Sequence, residues 1–331
     1  MELEKSEQLL GTEKFKKNVL GDISMKIRRK ISELQNPPIE KCSNSSIIVC
    51  RLDLRAGIAS AFHDILWCLL YSYYRNKTLL LFQERSIYFR GDKDVNNKEL
   101  EPWESFMKPL SRTCDHKKFS NEILEVVPMK NGVFVRKMAA HLPKEFGSDL
   151  IKLVDSPMSW FHSHFMGYIL RPQKRLIKHL EDFKKSLNFR HPIVGVHVRR
   201  TDKLYREAVF HTNSQYMIHV KDFYDKLELT QKVDRRLVYI ASDDPIVLSQ
   251  FIADYPDYEF IGNNEGSKSA EKDHTRYGNN SLWGALTDIF LLSETDYIVC
   301  TFSSAVSSKI LFTLLIVRFP VLVDLYVEIQ Y

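Results

Sequence analysis

Apolar and polar positions change their period in step along this chain, and the changes mark out its elements. The first forty residues read as a polar helix that ends near Gln35-Asn36-Pro37-Pro38, where two prolines stop it. Ser46–Cys50 is a short β-prone run, Arg51–Gly57 a loop, Ile58–Tyr74 an apolar helix and Thr78–Phe82 a strand. Strand, loop, helix and strand in that order predict a βαβ unit. Arg85–Lys98 is charged and without period, which predicts a surface loop. Helical spacing returns over Lys144–Val154, Ser159–Ile169 and Lys174–Leu187.

From His191 the alternation becomes regular. Ile193–Val198 reads as a buried strand, Asn213–Leu229 as a helix and Leu237–Ala241 as the next strand. Asp243-Asp244-Pro245 opens a short helix, as an N-cap followed by proline does. Tyr258–Ile261 is a strand, Ser281–Ser293 a helix and Tyr297–Cys300 a strand. The expected fold class is therefore α/β, with two Rossmann-like halves facing one cleft behind an N-terminal helix. The expected divisions are a helical segment (1–40), a first α/β domain (41–190), a Rossmann-like domain (191–308) and an apolar tail (309–331). Within that tail, Arg318, Pro320 and Asp324 interrupt the apolar run, so a core segment is expected there, not a membrane span. Met1–Lys17 is charged and lacks an apolar stretch, so neither a signal peptide nor a membrane anchor is expected in the chain.

Composition narrows the function. Hydrophobic residues at 44% and charged residues at 27% are the balance of a folded, soluble protein. A net charge of +5 without a basic stripe argues against a nucleic-acid binder and suits one anionic small molecule. The short run Lys26-Ile27-Arg28-Arg29-Lys30 reads as a solvated helix face. The five cysteines include no C-x-x-C pair, and His162 and His164 lack a third ligand, so no metal is expected. Three N-glycosylation sequons begin at Asn44, Asn76 and Asn279 and are compatible with the secretory route. There is neither a G-x-x-x-x-G-K-[ST] loop nor a G-x-G-x-x-G fingerprint, so phosphates must be held in another way.

The most informative stretch is His191 to Lys203, where a strand ends and at once presents Arg199, Arg200, Asp202 and Lys203. A guanidinium keeps its charge, and its planar fork matches the oxygens of a pyrophosphate. Neighbouring side chains on a strand point oppositely, so one arginine is expected to face ligand while the other pairs with Asp243 or Asp244.

The same residues are similar to the donor-site motifs of the core α1,6-fucosyltransferases. His197-Val-Arg-Arg-Thr-Asp-Lys203, followed by Glu207 and Phe210-His211, resembles the first motif, and Ala241-Ser-Asp-Asp-Pro245 the second. Asn280-Ser-Leu282 through Asp288-Ile289, with Val299-Cys-Thr-Phe-Ser-Ser304, resembles the third. The likeness runs from about Ile48 to Val306 and covers the catalytic region. It implies a GT-B-like, inverting transferase that moves fucose from GDP-fucose to the innermost GlcNAc of an N-linked glycan without a metal or other cofactor. On this resemblance, His197 and Asp288 would recognise guanine, Tyr88 the ribose, and Arg199 the β-phosphate, with Ser303, Ser304 and the backbone at Gly57. Glu207 would be the catalytic base, with Lys203 and Ser304 in its proton network. Arg200, Asp202, Asp243 and Asp244 would brace the site.

The resemblance also implies disulfides Cys42–Cys114 and Cys50–Cys68 with Cys300 free, hence an oxidising compartment, the Golgi lumen. Two further family bridges are missing: Ala56 and Ser60 replace one pair, and Ser307 replaces the partner of Cys300. The implied partner is an N-glycan or glycoprotein acceptor, with room for a homodimer. In the first βα turn, Leu54-Arg-Ala-Gly-Ile-Ala59 keeps only Gly57 of the family's glycines, and the sequence departs from the family after Ser308. A non-catalytic relative that binds GDP or a glycan is the second reading.

Overall fold

The structure is a computed structural model, and it describes residues 2–42, 46–54, 58–86, 102–115, 125–127, 141–200, 210–271, 279–300 and 326–328. The chain opens with α1 (Glu2–Gln35). Its Leu20, Ile23, Ile27 and Ile31 are buried at helical spacing, which gives an otherwise polar helix one apolar stripe. A first parallel sheet follows, built from β1 (Ile47–Leu54), β2 (Thr78–Ser86) and β3 (Glu125–Val127) in the order β2-β1-β3. The helix α2 (Ile58–Tyr74) connects β1 to β2. Three helices, α3 (Lys144–Leu153), α4 (Pro157–Ile169) and α5 (Lys174–Ser186), lead to the second half.

The second half holds β4 (Ile193–Val198), α6 (Asn213–Glu228), β5 (Arg236–Ser242), α7 (Ile246–Asp254) and β6 (Tyr258–Gly262). It continues through α8 (Asn264–Glu271), α9 (Asn279–Leu292), β7 (Tyr297–Cys300) and β8 (Tyr326–Glu328). Its five strands are all parallel, in the order β6-β5-β4-β7-β8. The order reverses at β4, which makes the carboxyl end of β4 the switch point where such sheets take their ligands. The first sheet reverses likewise at β1. Two parallel-sheet halves, each with helices on its strands, is the GT-B-like architecture expected from the sequence.

Strand parity explains the core. Ile193, Leu237, Tyr239, Ala241, Ile298 and Cys300 share one sheet face and one hydrophobic cluster. That cluster runs through α9 and α5 to α4, α2 and the first sheet, so the two halves share a core. Val194, Val196, Val198, Val238, Ile240 and Val299 lie on the other face, against Tyr216, Val220 and Tyr224 of α6 and Val247 and Phe251 of α7. All six residues of β4 are buried, as a strand covered on both faces requires. On the α9 face, a Cβ at Gly195 would come within 2.8 Å of Leu292 and Thr295, so glycine lets the helix end settle against the strand.

Cys42 is bonded to Cys114 and Cys50 to Cys68, and Cys300 is a buried thiol. The sequence separations are 72 and 18 residues. In the chain-entropy account, closing loops of those lengths stabilises by about 4 and about 3 kcal/mol, less than the sum here because one loop lies inside the other.

The structure differs from the expectations in four places. β1 and β2 continue to Leu54 and Ser86, past the runs read as strands, and pair in register almost throughout. The strand β3 and the helix α8 were not foreseen, the first because three residues carry no period. Tyr326–Glu328 of the tail forms β8 against β7, so part of the segment set apart as a tail belongs to the second sheet. The rest of the tail, and residues 87–98 of the expected surface loop, lie outside the described residues.

Candidate donor site at the switch point

β4 delivers His197 to the carboxyl end of the sheet, opposite Ala241 of β5 and Cys300 of β7. His197 is 7% exposed. Burial, and then the charge of Arg199, lowers its pKa to about 4, so the imidazole is neutral at physiological pH. Beyond the strand, Arg199 Nη1 lies 3.0 Å from Asp243 Oδ2, and Asp243 is 5% exposed. The other oxygen of that carboxylate accepts from the backbone N–H of Arg200 at 2.9 Å. Asp243 therefore clamps both the guanidinium of one arginine and the main chain of the next. A buried carboxylate needs such partners, and here they also aim the strand's end.

Arg200 goes the other way. Its Nη1 donates to Gln250 Oε1 and its Nη2 to Asn213 Oδ1, each at 2.7 Å, and its guanidinium lies 5.0 Å from the Phe210 ring. Those partners begin α6 and line α7, the helices on the face opposite to His197. Parity thus separates the two arginines as expected, but the pairing is reversed. The arginine assigned to phosphate, Arg199, is the one held by a carboxylate, whereas Arg200 is held by two neutral amides. The reason is position: the Ser242-Asp243 turn of β5 sits beside Arg199, and Gln250 and Asn213 stand on the far side. Asp244 takes a different part. Its Oδ1 accepts from the N–H of Ile246, the first residue of α7, at 3.1 Å, while its own N–H donates to Ser242 Oγ. The N-cap position falls on Pro245 itself, one residue later than the Asp-then-Pro reading expected.

Asp288 projects from α9 onto the same sheet face as His197. Its Oδ1 accepts from the Tyr239 hydroxyl at 2.7 Å, and Asn263 also hydrogen-bonds to it. Burial pushes the Asp288 carboxyl up to about 7, with both hydrogen bonds opposing the rise. Asn263 is fixed in turn: its Oδ1 caps α8 by accepting from the N–H of Gly266, and its Nδ2 donates to the carbonyl of Gly284. Gly284 and Gly266 touch so closely that a Cβ at Gly284 would lie 2.7 Å from the Gly266 Cα. Sequence reasoning missed Tyr239 and Asn263. Tyr239 shares the parity of Ala241, which was a signal available in the sequence; Asn263 carried none, because the helix it precedes was itself not foreseen.

A groove of about 450 Å³ adjoins this network, lined by Arg175, His179, Asn263, Trp283 and Gly284 among others. A cleft of about 630 Å³ lies at the opposite, amino end of β5, around Arg236, Tyr258 and Met217. Arg236 there is tied to Asp225 and Glu228, so that cleft presents a neutralised charge. His164 of the H-x-H pair is a core residue. Its Nδ1 meets the Trp160 carbonyl and its Nε2 the Ser24 hydroxyl, each at 2.9 Å. Among the described residues, no cluster of three or more His, Cys, Asp or Glu side chains could hold a metal, and no helix is long and apolar enough to cross a membrane. The structure brings His197, Arg199, Arg200, Asp243 and Asp244 together and sets Asp288 on the same face as His197. Tyr88, Gly57, Asp202, Lys203, Glu207, Ser303 and Ser304 lie outside the described residues.

The chain matches the family of alpha-(1,6)-fucosyltransferase N- and catalytic domains over residues 1–318. An alpha-(1,6)-fucosyltransferase of Drosophila melanogaster is 32% identical over 317 residues, covering 92% of this chain and 49% of that protein. One of Caenorhabditis elegans is 30% identical over 317 residues, covering 91% of this chain and 54% of that protein. The chain thus spans about half the length of these relatives. Among solved structures, the NodZ alpha-1,6-fucosyltransferase co-crystallised with GDP matches with a TM-score of 0.42 and 14% identity, over 81% of this chain and 92% of that one. POFUT1 in complex with GDP matches with a TM-score of 0.46 and 11% identity, over 87% of this chain and 100% of that one.

Proposed function

Because the chain belongs to the alpha-(1,6)-fucosyltransferase family, we propose that it transfers L-fucose from GDP-fucose to O6 of the innermost GlcNAc of an N-linked glycan, inverting the anomeric centre. The observation that carries this reading is the clamp of Asp243 on Arg199 beside a neutral His197, at the switch point of the second sheet. A fixed guanidinium there matches the charge that builds on the β-phosphate as the bond from the fucose C1 to the GDP oxygen breaks. The acceptor O6 attacks the opposite face of C1, and its proton passes to Glu207, with Lys203 and Ser304 in the proton network. One base suffices because inversion is a single displacement.

His197 and Asp288 recognise guanine, Tyr88 the ribose, and Ser303, Ser304 and the backbone at Gly57 the phosphates. Arg200, Asp202, Asp243 and Asp244 brace this arrangement. Asp288 accepts guanine N–H groups only as a carboxylate. With its carboxyl near 7, GDP affinity is expected to rise by up to tenfold per pH unit towards pH 7 and to level off above it. Calorimetry from pH 5.5 to 8.5 checks this against Asp288→Asn, which should remove that rise and leave only the titration of the phosphates. A wild-type profile that parallels the mutant's would remove guanine recognition from Asp288.

Arginine at the phosphates makes a divalent cation unnecessary. Turnover of GDP-fucose on a biantennary glycopeptide is expected to survive exhaustive chelation unchanged, and a loss restored by Mn²⁺ would overturn the metal-free mechanism. The same assay tests the whole reading. A chain that binds GDP by calorimetry but transfers no fucose would be the non-catalytic relative. The two disulfides support an oxidising compartment, which for this acceptor is the Golgi lumen.

A further inference from the structure

The sequon Asn76-Lys77-Thr78 joins α2 to β2, and all three of its residues are described. Asn76 has a φ of 52°. Its N–H donates to the Tyr73 carbonyl at 3.1 Å, and the N–H of Lys77 reaches the Ser72 carbonyl at 2.9 Å. These are the two bonds of a Schellman cap, with Asn76 at the left-handed position after the helix. Asparagine tolerates that conformation, which accounts for its backbone role. It does not account for the side chain. Asn76 is exposed, and among the described residues its amide has no hydrogen-bond partner. Only threonine or serine two residues on completes a sequon, and here that residue is Thr78.

We propose that Asn76 is an N-glycosylation site, occupied before this part of the chain folds. The proposal rests on the lumenal placement argued above. In the reaction, a bond forms between Asn76 Nδ2 and C1 of the terminal sugar of a lipid-diphosphate-linked oligosaccharide. The bond from that C1 to the lipid diphosphate breaks, the lipid diphosphate leaves with the electron pair, and one Nδ2 proton is released to solvent. Timing follows from Thr78. Its hydroxyl donates to the Leu34 carbonyl at 2.7 Å, the residue is 3% exposed, and it pairs with Ile47 in the sheet. Once α1, β1 and β2 have assembled, the hydroxyl that marks the sequon is no longer accessible. The site also clears the proposed chemistry. Asn76 stands at the amino ends of the first sheet's strands, and Gly57 follows the carboxyl end of β1 in the sequence. Eight residues of β1 separate the two, about 26 Å of strand.

The test is to direct the full chain into a eukaryotic secretory pathway, release glycans with an amidase in heavy-oxygen water, and map the peptides. The Asn76 peptide should carry the heavy-oxygen aspartate. The variant Asn76→Gly should lose one glycan in mass while melting at or above the wild-type temperature, since glycine suits the left-handed cap. An unmodified Asn76 in chains whose Cys42–Cys114 and Cys50–Cys68 bonds have formed would overturn the site and leave the lumenal placement intact. An unmodified Asn76 with all five thiols free would overturn both. For the timing, a folded unglycosylated chain made in bacteria should resist purified oligosaccharyltransferase, while a peptide of residues 71–83 is modified. Equal modification of the two would overturn the order of events.

Discussion

Glu207→Gln is expected to lower fucose transfer about 100-fold or more while GDP affinity stays within a few fold. Glutamine keeps the length and the hydrogen-bonding shape of glutamate but cannot accept the proton of the sugar hydroxyl. That hydroxyl is a poor nucleophile, and a positioned base contributes typically about 10²–10⁴-fold by taking the proton as the bond forms. Glu207 follows Lys203 by four residues in the sequence after the arginine pair, so the reading assigns it to the acceptor and not to the nucleotide. Single-turnover transfer to a biantennary glycopeptide, with calorimetry of GDP on the same preparation, separates the two effects. Wild-type turnover by the mutant would mean that another group is the base.

Arg199→Lys should lose both. The guanidinium fork can meet Asp243 with one nitrogen and direct its remaining N–H groups elsewhere, whereas an ammonium is a point charge that must choose. Removing one preorganised donor from a developing oxyanion costs about 10²–10³ in kcat, and lysine here forfeits the orientation as well. The expected result is turnover reduced by about 10²-fold or more, with GDP affinity also weakened. Asp243 holds Arg199 and the Arg200 backbone, so Asp243→Asn should move in the same direction by a smaller step. Full activity in Arg199→Lys would take the β-phosphate away from this arginine.

The helices and the central strands were legible because their signals are local. Ile58–Tyr74, Ile193–Val198 and Tyr297–Cys300 have the bounds that their apolar periods set. A strand buried on both faces must be apolar throughout, and β4 is. β3 escaped because three residues are too few to show a period, and its strand geometry comes with its pairing to Ile48, Val49 and Cys50. β8, three residues in a long apolar tail, likewise shows no period of its own, and among the described residues it pairs with β7.

The site divides along the same line. Residue types and their order determined, by sequence alone, that an arginine pair ends one strand and an Asp-Asp-Pro turn ends the next. They also placed a carboxylate on a late helix, while the pairs Cys42–Cys114 and Cys50–Cys68, which the structure contains, were implied by the resemblance to the family. Only the tertiary structure decided which arginine Asp243 holds, because that depends on strand order and register: β5 lies beside β4, with Val198 opposite Ser242. It alone brought Tyr239 and Asn263 onto Asp288, since a strand, a helix cap and a helix 25 residues farther on meet only after the sheet and α9 have packed. Local periodicity records what each segment buries. Which polar groups converge is set by the crossing of segments, and the chain encodes that only through the fold.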